Sequence, residues 1–260
     1  VARQHFLKPS SWVVVAFIIF YFLQGLFNGG SSYDKSSNQR IASPTTIKPV
    51  VLLVNGLEIK PFADLYGENL SGANLILANL TGAFLGGTNL RGANLKGANL
   101  TEADFSGFSQ ADLSEAYLFE ANLTKANLTG VKLTNANLTN ANLTKANLSG
   151  AIMSFTNLTG ANLTGANLNG IDGYFARLPF ANLTGVNMYE ASLILANLTN
   201  ANLKDAYMPY TNLNGADLTG ADLTGADLTG ANLLLAVLTR TNLTGAKLSG
   251  AIMPDGTVNG

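Results

Sequence analysis

The chain carries one histidine, His5, and no cysteine. His5 stands in the N-terminal tail, so no histidine-dependent base, triad or proton relay can form within the folded body. The lack of cysteine removes disulfides, thiol nucleophiles and thiolate metal sites together. It permits an oxidising compartment without proving one. The most regular acids are Asp217, Asp222 and Asp227, five residues apart. Each holds the ordinary second place of an Ala-Asp-Leu unit, so they read as turn residues rather than as a metal site. Lysines are scattered and form no stripe that could follow phosphates. With 16 acidic and 15 basic residues, no overall field draws nucleic acid or anionic lipid. No nucleophile–base pair can be named, and the expectation is a non-enzyme with no cofactor, metal or small-molecule substrate.

What positions these residues is a repeat of five. From Ala63 the sequence runs as Ala-(Asn/Asp)-Leu-x-x, with central residues Leu65, Leu70, Leu75 and onward to Phe105. The period slips by three through Ser106–Gln110, resumes at Leu113 and continues to Leu248 and Met253. Of about 38 central positions, only Gly173 is not a large apolar residue. Two places before most centres stands Ala, with exceptions that include Val131, Thr156, Ile171, Val186, Thr211 and Thr241.

A helix cannot use this period, because a step of five turns a side chain by roughly 140° and smears Leu around the surface. A flat strand would send alternate Leu to opposite faces. A chain that turns a corner every five residues puts every Leu inside a square tube. The small Ala fits where the corners crowd, and Gly, Asn, Asp, Thr and Ser elsewhere are turn formers.

The runs Ala-Asn-Leu-Thr-Gly-Ala-Asn-Leu at 161–168 and the threefold Ala-Asp-Leu-Thr-Gly over 216–230 resemble the A(D/N)LXX pentapeptide-repeat family. The resemblance covers nearly all of residues 62–253, and the Asn-Leu-Thr units look most like cyanobacterial members. It implies an all-β fold, a right-handed quadrilateral β-helix with four pentapeptides per coil and nine to ten coils. At the ~4.8 Å spacing of stacked strands the rod is roughly 45 Å long.

Outside the repeat, residues 1–8 read as a tail and 9–27 as a transmembrane helix. Trp12, Phe17, Ile18, Phe20, Tyr21, Phe22 and Phe27 belong to this uncharged stretch, whose reach of roughly 28 Å suits a hydrocarbon core of ~30 Å. A cleaved signal peptide is the alternative, although Asn28-Gly-Gly-Ser-Ser offers no Ala-x-Ala site. Arg3 and Lys8 precede it without an acid, while Lys35 and Arg40 follow with Asp34; counted as Lys and Arg these barely decide the orientation, and an exported repeat domain is the preference. Residues 28–49 read as a flexible linker. Residues 50–61 read as a capping hairpin turning at Asn55-Gly56, and 254–260 as a C-terminal tail, so that the last coil is covered by Pro254–Gly260 alone, by a partner or by a second copy.

If the inside is uniform, information lies outside. With four units per coil, residues twenty apart stack, which puts Phe155, Phe175, Leu195 and Leu235 in one column broken by Gly215. Tyr174, Ile194 and Leu234 stand beside them, with Tyr189, Tyr207 and Tyr210 around the preceding corner. These ten residues are the expected partner-binding face, since contiguous apolar patches mark binding sites. The competing reading is core repair, in which Tyr174 or Phe175 folds inward to fill the gap at Gly173. The opposite face carries Thr124, Thr144, Thr164, Thr184, Thr224 and Thr244.

The functional expectation is a membrane-anchored, non-catalytic scaffold or accessory subunit for a larger membrane protein complex. Given the cyanobacterial likeness, a photosynthetic thylakoid complex is the natural candidate, with the repeats in the thylakoid lumen or periplasm. The alternative is a DNA mimic that occupies topoisomerase, as in other members of the resembling family. That role needs a dense acidic surface, which a formal charge of −1 does not supply. Ice binding would need paired Thr columns on one face, whereas each face here carries one.

Overall fold

The computed structural model describes residues 52–260. Parallel bridges join residues twenty apart throughout most of this length, as in Asn142–Asn162–Asn182–Asn202. Twenty residues in four units of five make one coil with four sides. Side 1 stacks Asn127, Asn147, Asn167 and Asn187, and side 2 stacks Lys132, Ile152, Asp172 and Ser192. Side 3 stacks Asn137, Asn157, Arg177 and Asn197, and side 4 is the asparagine column just named.

The five-residue unit closes because it satisfies its own donors. In the unit 162–166, the Leu163 N–H donates to Asn182 O of the next coil at 2.7 Å and the Gly165 N–H to Thr184 O at 3.0 Å. The Asn162 N–H reaches back to Ala141 O at 2.9 Å, and the Ala166 N–H closes a turn onto Leu163 O at 2.9 Å. The fifth donor, the Thr164 N–H, goes to its own neighbour's side chain, Asn162 Oδ1, at 3.1 Å. The Thr164 hydroxyl donates to the same oxygen at 2.7 Å. Asn or Asp recurs before each Leu because an unpaired backbone donor is costly and this side chain is the acceptor at hand.

The interior is filled by the central residues and the Ala before them, both essentially inaccessible to water. Each buried Leu contributes about 1.5–3 kcal/mol of transfer free energy. Where Thr replaces Ala, its hydroxyl is buried but bonded: Thr156 donates to Leu133 O and Thr211 to Met188 O, each at 2.7 Å.

The three-residue slip is absorbed in one corner. Across it the bridges lengthen to Asn89–Asp112, Asn94–Tyr117, Asn99–Asn122 and Asp104–Asn127, after which the spacing of twenty returns. The columns before and after the insertion are therefore continuous, and Phe108 at the tip of the extra loop is fully exposed.

Two strands precede the first coil, β1 (Leu52–Val54) and β2 (Leu57–Ile59), paired antiparallel. Asn55 and Gly56 both take positive φ, 52° and 82°, the signature of a type I′ hairpin turn. Asn55 Nδ2 donates to Asn69 O of the first coil at 3.2 Å, and Ile59 is buried. At the other end the chain folds back so that Val258 bridges Ile252 antiparallel. The Met253 N–H donates to Thr257 O at 2.7 Å and the Asn259 N–H to Ala251 O at 2.8 Å. This strand covers side 2 of the last coil, while Leu238, Leu243 and Leu248 on the other sides are only partly buried.

No helix long and apolar enough to cross a membrane lies among the described residues. The expected transmembrane segment 9–27, with Trp12 through Phe27, and the linker 28–49 lie outside them.

Candidate interaction surface

Each unit leaves the tube at the two residues after its centre, and the second takes a left-handed backbone. Phe155, Phe175, Leu195 and Leu235 have φ of 58°, 55°, 56° and 59°, the position that favours glycine in a type II turn. That conformation costs an L-residue about 1–2 kcal/mol, so a bulky apolar side chain there is disfavoured by the local fold. All four are exposed, Leu235 by 68%. Their central neighbours Met153, Leu193 and Leu233 remain in the core.

These four form the border between sides 2 and 3. The Phe155 and Phe175 rings stack, 5.5 Å apart and 5° from parallel. The Tyr174 ring meets Phe175 edge-on at 4.5 Å and Phe155 at 5.9 Å. Ile194 and Leu234 stand half-buried beside them on side 2. Tyr189 and Tyr210 lie on the border between sides 1 and 2, with Tyr207 on side 1. Tyr189 stacks on Tyr207 at 6.3 Å and meets Tyr210 edge-on at 5.9 Å. The ten residues therefore form two groups flanking side 2 rather than one cluster. A hydrogen bond to the Glu190 carboxylate, with that charge beside it, raises the Tyr189 hydroxyl above its ordinary pKa.

The core-repair reading is overturned. The space a side chain would take at Gly173 is already filled: a Cβ there would lie 2.9 Å from Leu193 Cδ2, 3.1 Å from Ser192 O and 3.5 Å from Ile171 Cδ1. Tyr174 and Phe175 stay outside. Ile76 and Leu77, whose column the slip had obscured, belong to side 3 and its far border, not to the column of Phe155.

Other residues join the surface once columns are known. Phe180 is 66% exposed on the border between sides 3 and 4. Val237 is exposed next to Leu235. Tyr117 and Phe155 wall a shallow groove floored by Asn135 and Asn137. The spacing of twenty could have found each of them. All four prolines among the described residues obey a further rule. Pro61, Pro179, Pro209 and Pro254 follow by two the residues Ile59, Arg177, Tyr207 and Ile252, none of which is Asn or Asp. At these four places the missing side-chain acceptor leaves no donor unsatisfied, because proline has no N–H.

No cluster able to hold a metal lies among the described residues. Asp222 and Asp227 are turn acceptors. The Thr224 and Thr229 hydroxyls hold their carboxyls below the usual range, burial opposing, with Lys204 and Lys247 assisting. The lysine nitrogens lie at 3.2 and 3.4 Å.

The model of the pentapeptide-repeat family matches in eight copies, over residues 63–107, 108–135, 132–170, 151–189, 196–234 and 216–253. The chain belongs to the pentapeptide-repeat family. Among solved structures this pentapeptide-repeat protein is similar to HetL of the cyanobacterium Nostoc sp. strain PCC 7120, a pentapeptide-repeat protein involved in heterocyst differentiation regulation. The identity is 35% over 77% of this chain and 92% of that one, with a TM-score of 0.40. It is also similar to trypsin-treated QnrB1, a plasmid-mediated fluoroquinolone resistance protein, at 17% identity over 71% and 90%, TM-score 0.48. A pentapeptide-repeat protein of the Arabidopsis thaliana thylakoid lumen shares 31% identity over 48% and 63%, TM-score 0.22. No curated protein matches.

Proposed function

We propose that this pentapeptide-repeat protein is a non-catalytic accessory subunit or scaffold. It is held to a membrane by residues 9–27 and docks on a membrane protein complex through side 2 and its two borders. The observation that carries the reading is the exposure of Phe155, Phe175, Leu195 and Leu235 at turn positions disfavouring them, beside intact core residues. Nothing in the tube requires them, and exposed apolar groups on both borders of side 2 exceed the scattered exposure of an ordinary surface, as at docking sites. An exported repeat domain, facing a thylakoid lumen or periplasm, is the preferred orientation, since Arg3 and Lys8 precede the segment without an acid while Asp34 accompanies Lys35 and Arg40 after it. A DNA-mimicking role is disfavoured, because acids such as Glu102, Glu115, Asp222 and Asp227 are paired with bases across coils instead of forming a negative field.

The test is native electrophoresis of mildly solubilised membranes, followed by mass spectrometry of the band that contains the chain. Co-migration with a large complex is expected, and its loss in the Ile194→Thr/Leu234→Thr variant. Recovery of the wild type free of any complex, or in the soluble fraction, overturns the reading.

A further inference from the structure

Side 3 and its borders carry a pattern that is complementary to itself. The border with side 2 reads Phe155, Phe175, Leu195, Gly215, Leu235 in successive coils. The middle of side 3 reads Asn157, Arg177, Asn197, Asp217, Val237, and the border with side 4 reads Gly160, Phe180, Asn200, Gly220, Arg240. One coil thus presents Phe175, Arg177 and Phe180, and the coil two further on presents Gly215, Asp217 and Gly220.

Reversing the direction of the rod about the level of Asn197 exchanges these two coils. Each phenylalanine then faces a glycine, and arginine faces aspartate. Phe155 faces Leu235, and Leu195 faces itself. Leu195 and Asn200 lean onto Gly215 and Gly220. The space without a side chain therefore lies just beyond each glycine towards the C-terminus.

The charges point the same way. Neither Arg177 nor Asp217 has an ion-pair partner among the described residues, whereas Arg91, Lys125, Lys204 and Lys247 are each paired across coils. Stacked two coils apart, about 9.5 Å at the strand spacing, they cannot reach one another within one chain. Asp217 Oδ1 accepts the Thr219 N–H at 2.9 Å, which leaves Oδ2 to a partner.

We propose that a second copy of this chain covers side 3, the two rods antiparallel about a two-fold axis level with Asn197. The contact is isologous, and each Arg177 pairs with Asp217 of the other copy. The two-fold axis leaves both copies of side 2 next to each other along the seam. The seam takes up Phe155, Phe175, Leu195 and Leu235 and leaves Ile194, Leu234 and the border of Tyr189 and Tyr210 open, so a docked complex would meet side 2 of both copies and their tyrosine borders.

The chain has no cysteine, which makes the geometry testable residue by residue. The full chain in mild detergent is treated with a bis-maleimide reaching about 8 Å, suited to sheet faces about 10 Å apart. Asn197→Cys, on the axis, is expected to link to itself. Asn157→Cys and Val237→Cys are each expected to stay single but to link when mixed. The middle position tolerates the loss of Asn, as Lys132 and Ile152 in the same place elsewhere demonstrate. Arg177→Glu should lower linking of Asn197→Cys about tenfold, and adding Asp217→Arg should restore it. Unlinked Asn197→Cys in a chain that sediments as a monomer overturns the dimer, as does linking of Asn157→Cys alone. Co-migration with a membrane complex is read separately, so either reading can fail without the other.

Discussion

Leu195 Cδ2 lies 2.7 Å from the position that a Cβ on Gly215 would take. The contact binds two coils and explains why glycine interrupts the apolar column: the preceding leucine has already occupied the space. Gly215 also has φ of +65°. Gly215→Ala therefore both strains the turn and displaces Leu195. The expected loss is about 1–2 kcal/mol, measured by urea unfolding. Adding Leu195→Ala should recover the steric part of it, since the obstacle is the end of a flexible side chain.

Gly173 leads to the opposite of what repeat consensus suggests. It is the one centre without a large side chain, yet Leu193 and Ile171 close the space around it. Gly173→Leu would restore the consensus and overpack the tube, at a cost of typically 1–3 kcal/mol. A rise in melting temperature in this variant would mean that a real void exists.

The asparagine and proline columns give a paired prediction. Asn162→Ala removes the acceptor of the Thr164 N–H and hydroxyl and should cost about 0.5–1.5 kcal/mol. Arg177→Ala, in a unit where Pro179 has no N–H to satisfy, should cost the single chain, unfolded at a concentration too low for pairing, no more than a few tenths of a kcal/mol, as for ordinary surface changes. Chemical denaturation of the two variants side by side tests the rule; equal losses would refute it.

Much of this fold was readable because a period of five admits few solutions, and Leu203 or Leu223 is interchangeable with any other centre. The surface was legible only as far as the register was. Phe155, Phe175, Leu195 and Leu235 fell into one column because no insertion separates them. Phe180, one corner further, was passed over because only one border was followed. The slip at Ser106–Gln110 hid the early coils, since spacing alone does not say whether three extra residues displace the following sides or bulge from one corner. The filling of Gly173 was invisible for another reason: it depends on where the Leu193 and Ile171 side chains lean, which no spacing encodes.

The last coils should be the acid-sensitive end of the rod. The Thr224, Thr229 and Thr257 hydroxyls hold the carboxyls of Asp222, Asp227 and Asp255 below their ordinary pKa. A depressed folded value means that the ionised forms favour the fold. Their contribution is complete above the unfolded value, about 3.9, and disappears as pH falls through the lower folded value. Repeat stability is close to additive along a solenoid, so the loss should be local, freeing the C-terminal coils before the asparagine-rich coils around Asn162. Limited pepsin digestion between pH 4 and pH 2 is expected to cut first beyond about Leu213. The Asp222→Asn/Asp227→Asn/Asp255→Asn variant keeps each turn acceptor but cannot titrate, and its C-terminal cleavage should depend less on pH. Equal pH dependence in the two proteins would place the acid sensitivity elsewhere.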